Sequence, residues 1–110
     1  MTKERLRRYR SLKLEEEQLK EQQNSMETRN SKKLQEFYRK HLDELTSELL
    51  AIELAISTLD ATARTLLRDY YINGLTWERV AEKNHYSEAQ CHRIHSVALI
   101  ALKNAADRDN

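Results

Sequence analysis

Residues 73 to 95 read NGLTWERVAEKNHYSEAQCHRIH, and hold the chain's only Gly, only Trp and only Cys with three of its four His. Asn73-Gly74 marks a helix end, because Gly enters the left-handed region without a Cβ penalty. Thr76 stands where it can cap a short helix over residues 77–83, with Trp77, Val80 and Ala81 on its apolar face. Asn84 is the next residue expected to take a positive φ. Ser87 and Gln90 have the spacing of a capping box and open a longer helix over residues 88–105. On that helix Cys91, Ile94, Ala98 and Leu102 form one stripe, and Tyr86 is expected to plug the angle between the two helices. A short helix, a tight turn and a longer helix make the helix-turn-helix plan, with Val80 and Ala81 set against Cys91 and Ile94.

Upstream, Asp60 is placed to cap a helix whose inner face carries Ala63, Leu66, Leu67, Tyr70 and Tyr71. Before it, Tyr38, Leu42, Leu45, Leu49, Ile52, Ile56 and Leu59 recur at spacings of 4, 3, 4, 3, 4 and 3, an uninterrupted heptad seam. A helix over residues 33–58 would be roughly 39 Å long. Each aliphatic buried along it contributes roughly 1.5–3 kcal/mol, which an isolated helix cannot collect. The seam therefore predicts a partner helix, either residues 1–23 folded back or a second copy of the chain. Residues 1–23 read as a polar helix whose sparse apolar positions are Leu6, Tyr9, Leu12 and Leu19. So little apolar cover favours self-association, with a dimer expected. Residues 24–31, NSMETRNS, favour a turn because short polar side chains compete for backbone hydrogen bonds.

These patterns predict an all-α chain in two parts, a coiled-coil-like oligomerisation region over 1–59 and a helix-turn-helix module over 60–110. The composition agrees: 34% charged residues, one Gly and no Pro disfavour a sheet. One Cys cannot form an internal disulfide, which suits a reducing cytoplasm. The start, MTKERLRRYR, leads into no apolar stretch and is not expected to be a signal peptide. No run approaches the roughly 20 apolar residues of a membrane helix.

Charge is uneven along the chain. The first thirteen residues carry six bases, Lys3, Arg5, Arg7, Arg8, Arg10 and Lys13, against Glu4. That run reads as a solvated helix face or as a basic arm for phosphates. Residues 60–110 carry seven bases and seven acids. DNA affinity falls with salt at about −0.9 in log K per log salt for each phosphate contacted, so a neutral reader should bind weakly alone.

Cys91 and His95 lie four apart with His85 and His92 near, but Cys91 falls on the core stripe and no second Cys exists, so no metal site is expected. No nucleophile stands beside a base and no Gly-rich phosphate loop is present, so neither catalytic residues nor a cofactor are assigned.

The stretch LTWERVAEKNHYSEAQCHRIHSVALIAL resembles region four of bacterial sigma factors, which reads the −35 promoter element. It is more similar still to small phage and prophage transcription regulators of the ArpU and RinA late-gene activator type. The matching residues are Leu75-Thr76-Trp77-Glu78, Val80-Ala81-Glu82, Tyr86-Ser87, Arg93-Ile94-His95 and Ala98-Leu99, after RTLLRDYYINGLTW. The resemblance covers residues 60 to 103. It implies a sequence-specific regulator that binds double-stranded DNA in a bacterial cytoplasm. Glu88, Ala89, His92, Arg93 and Ser96 would face base edges in the major groove, with Gln90 secondary. Thr76, Trp77 and Ser87 would lie near phosphates. Sigma factors often carry Arg where this chain has Glu88 and His92. Two other functions fit the same fold: an interaction protein gripping RNA polymerase or another host protein, and a small-terminase-like packaging subunit.

Overall fold

The computed structural model describes residues 1–108, and within them the chain is all-helical, with no strand. The helices are α1 (Lys3–Arg7), α2 (Tyr9–Gln23), α3 (Met26–Arg29), α4 (Lys32–Ser57), α5 (Ala61–Leu67), α6 (Trp77–Asn84) and α7 (Glu88–Arg108), with a π-helical turn, Arg68–Ile72, continuing α5. No helix among them is long and apolar enough to cross a membrane. Two compact units emerge, Ser11–Ala51 on one hand and Met1–Arg10 with Ile52–Asn110 on the other. The expected division at residue 59/60 differs from this. The chain's first ten residues go with its last fifty-nine because Leu6 and Tyr9 are buried and Tyr9 Oη donates to Glu53 Oε1 at 2.6 Å.

In the 11–51 unit, α2 and α4 pair as a hairpin. The connection NSMETRNS is more ordered than a simple turn. Ser25 Oγ accepts from Thr28 N at 3.3 Å, starting α3, and the buried Thr28 hydroxyl donates to Gln22 O at 2.7 Å. Ser31 Oγ then accepts from Leu34 N at 3.3 Å at the start of α4. A connection this short makes neighbouring helices antiparallel. The seam expected to meet a second copy is covered here from within the chain: Leu42 and Leu49 are buried, Tyr38 and Leu45 half-buried. The cover is partly polar, and a count of apolar residues on the first helix misses it. Glu16 is only 7% exposed, yet it accepts from Thr46 Oγ1 at 3.3 Å and lies 3.4 and 3.5 Å from Lys13 and Lys20. Burial alone would raise its pKa, but the two ammonium groups outweigh burial and hold the carboxyl below its ordinary value.

In the other unit, the remaining seam residues Ile52, Ile56 and Leu59 are likewise buried within one chain. Oligomerisation is thus not required to cover the seam. Thr2 caps α1, and Arg8 interrupts the expected single helix over 1–23 by donating its N–H to Arg5 O at 3.1 Å. Asp60 caps α5 as expected, its Oδ1 accepting from Ala63 N at 2.9 Å. Both α5 and α6 pack on α7 around Leu66, Val80, Ala81 and Cys91, all buried, with Tyr70, Leu75, Trp77 and Ile94 against them.

Candidate nucleic-acid interface

Two short connections set the angle between α6 and its neighbours. The π-helical turn closes with Asn73 N donating to Arg68 O at 2.9 Å, after which Gly74 takes φ 72°. This extra residue per turn brings Asp69 to the interior along with Tyr71, which a regular helical period does not predict for Asp69. Thr76 Oγ1 accepts from Arg79 N at 3.2 Å and starts α6. At the other end the left-handed residue is His85, with φ 60°, and not Asn84 as expected. Asn84 stays helical because its amide is occupied: Nδ2 donates to Val80 O at 2.8 Å and to Asp69 Oδ2 at 3.3 Å. The next residue then makes the turn, and His is among the non-Gly types that tolerate it. Tyr86 N reaches back to Ala81 O at 3.0 Å, as a helix-ending turn requires. The Tyr86 side chain is 37% exposed and does not plug the angle.

Ser87 and Gln90 form the reciprocal capping box. Gln90 N donates to Ser87 Oγ at 3.1 Å and Ser87 N donates to Gln90 Oε1 at 2.9 Å. These groups fix the start of α7, so of the two residues only the Gln90 amide nitrogen is left for a ligand. With Cys91, His95, Ala98 and Leu102 buried on one side of α7, the helical period sets Ala89, Arg93 and Ser96 on the other, and all three are exposed. Glu88 and His92 are exposed on the flank. The Arg93 side chain holds no ion pair or hydrogen bond among the described residues.

An aromatic stack stiffens that flank. Tyr70 and Trp77 lie face to face with ring centroids 4.1 Å apart, and Trp77 also touches His92 at 5.1 Å and His95 at 4.8 Å. His92, expected to face a base edge, thus has part of its ring against Trp77. His95 is 7% exposed and shares a 2.6 Å hydrogen bond with Tyr71 Oη, whose direction follows the ring's tautomer. Burial pushes the His95 pKa down to about 4, with Lys3, His92 and Arg7 adding to the effect, so the ring is neutral at pH 7. Burial likewise pushes Tyr71 up to about 12.

Sequence reasoning missed Asp69. This carboxylate is 3% exposed, and receives Lys83 Nζ at 2.9 Å, Asn73 Nδ2 at 3.1 Å and Asn84 Nδ2 at 3.3 Å. It ties the end of α5 to the end of α6. Burial would raise its pKa, but these three donors outweigh burial and lower it. The one signal in the sequence is Asn73, four residues after Asp69 on an otherwise apolar face.

No group of three His, Cys, Asp or Glu side chains among the described residues could hold a metal ion. Cys91 is fully buried in the core, where burial raises its thiol pKa. The comparisons add no assignment: no family model, no curated protein and no solved structure matches the chain.

Proposed function

We propose that this chain is a sequence-specific DNA-binding transcription regulator of phage or prophage type, with a helix-turn-helix of the sigma region-four kind. In this proposal α7 lies in the major groove. Ala89, Arg93 and Ser96 meet base edges, with Glu88, Gln90 and His92 beside them, while Thr76, Trp77 and the helix start that Ser87 caps lie toward phosphates. One observation carries it most: Arg93 projects from the outer face of a rigidly capped helix start with no internal partner among the described residues. A guanidinium so placed can make a bidentate pair with guanine, which discriminates by roughly 1–3 kcal/mol. The exposed Ala89 keeps the helix slim beside it, so that backbone and bases can approach.

The proposal is tested by selecting bound DNA from a random duplex pool at about 50 and 200 mM salt. An enriched motif that survives the higher salt is the expected result. Binding without any motif would overturn sequence-specific reading. Symmetry of the motif would report a dimer, with half-site centres about 10 bp apart or a multiple of that.

A second function, a grip on RNA polymerase or another host protein, is favoured by one observation. Val97 and Ile100 are 67% and 59% exposed on α7, beside a groove of about 760 Å³ lined by Ala61, Ala63, Ile94 and Ala101. Loss of regulation on changing Val97 and Ile100 to Asp, with DNA binding intact, would favour it.

A further inference from the structure

Residues 60–110 are electrically neutral, which is weak equipment for holding a polyanion. The fold changes that account. Met1–Arg10 belong to the same compact unit as Ile52–Asn110, and this unit carries twelve basic and nine acidic side chains, a net of +3. The surplus comes wholly from residues 1–10, which hold five bases and Glu4.

The placement of those bases is specific. Lys3 and Arg7 are four apart in α1, so they share one side of it, next to the fully buried Leu6, and Arg10 follows in the first turn of α2. All three are exposed, and none has an ion pair or hydrogen bond of its side chain among the described residues. The Arg10 guanidinium lies on Gly74: a Cβ placed on that residue would meet Arg10 Cζ at 2.5 Å. Arg10 therefore stands beside the residue two before Thr76, the cap of α6. Lys3 and Arg7 act electrostatically on His95, which lies on the Trp77 side of α7. The three cations thus gather on the flank of α7 that also bears His92, Trp77 and the start of α6.

A helix filling a major groove about 12 Å wide leaves its flanks against the phosphate ridges of the groove walls. We propose that Lys3, Arg7 and Arg10 form a phosphate-binding wall beside α7, so that the backbone of one DNA strand is held by α1 and the start of α2 together with the start of α6. This rests on the DNA-reading function proposed above and names the part of the ligand that the first ten residues take. Only Glu4 in this segment opposes it. The wall carries affinity and no sequence information, because phosphates are the same at every base pair.

The test is fluorescence anisotropy with a duplex of about two helical turns, titrated at several salt concentrations against the full chain. Wild type is compared with Lys3→Gln/Arg7→Gln/Arg10→Gln, with Arg7→Lys/Arg10→Lys and with Arg93→Ala. The triple Gln variant is expected to bind at least about tenfold more weakly at low salt. Its slope of log K against log salt should be shallower by about 2.7, near 0.9 for each phosphate it no longer neutralises. The Lys variant should keep the wild-type slope, and the triple Gln variant should select the same motif as wild type. Should the triple variant lose helicity, Lys3→Gln/Arg7→Gln, which leaves Arg10 on Gly74, is expected to lower the slope by about 1.8. An unchanged slope in a folded Gln variant, while Arg93→Ala loses its motif, would overturn the wall and leave the reading helix standing. Failure of wild type to bind duplex at low salt would overturn both.

Discussion

The two compact units of this chain are each stabilised by different means. Residues 11–51 form a helical hairpin with a net charge of −2, from seven bases and nine acids. Met1–Arg10 with Ile52–Asn110 carry +3. Of the eight largest fully buried side chains, seven lie in this second unit and one, Thr28, in the hairpin. The hairpin relies instead on a heptad seam of two buried and two half-buried residues, a hydrogen-bonded connection and the polar cover of Glu16. Since apolar burial is the main stabilising term, the hairpin has the lower local stability. It also puts the positive surplus, and the proposed DNA-facing residues, on the more densely buried unit.

The largest expected effect is on that unit's core. Leu66→Ala removes a fully buried side chain between α5, α6 and α7 and should destabilise by about 3–5 kcal/mol in denaturant unfolding. Leu45→Ala, at a half-buried seam position, should cost about 1–2 kcal/mol. Equal losses at the two sites would contradict the lower stability of the hairpin.

Asp69→Ala should cost about 2 kcal/mol, because it leaves the part-buried amides of Asn73 and Asn84 without their acceptor and removes the partner of Lys83. The folded pKa of Asp69 lies below its ordinary value of 3.8, so its contribution is in place above that pH and is lost as pH falls through the folded pKa. In Asp69→Asn that loss should vanish from the acid limb of the stability curve.

His95 acts in a higher window. Its folded pKa of about 4 lies below the unfolded 6.5, so the unfolded chain binds the proton first as pH falls. Stability should therefore be full above pH 6.5 and decline by up to roughly 3 kcal/mol on going to pH 4. His95→Phe should flatten this decline, measured as melting temperature against pH. A profile that stays steep in the variant would place the titration elsewhere. The smallest effect is expected at the cap of α7, where Ser87→Ala should cost about 1 kcal/mol without altering the pH profile.

Much of this fold is written in local spacing. The heptad seam marks α4, and Asp60, Thr76 and Ser87 cap helices as their residue types require. The apolar faces of α5, α6 and α7 follow from the 3.6-residue period. What spacing does not contain is competition between partners. Asn84 and His85 are both plausible left-handed residues, and Asp69 decides between them by holding the Asn84 amide. The π-helical turn depends on the same tertiary demand. The cover of the seam depends on a carboxylate, Glu16, that is buried only because Thr46, Lys13 and Lys20 receive it. Residues 1–10 show the limit most plainly. Their charge is obvious in the sequence, but their membership of the unit that carries α7 is a long-range fact.

Whether α7 reads bases through Arg93 is decided on the selected duplex. Every single-base substitution of that site would be measured against wild type and against Arg93→Ala. Wild type is expected to distinguish guanine at one position by about tenfold or more, and Arg93→Ala to lose this at that position alone. An identical discrimination profile for the two proteins would contradict it.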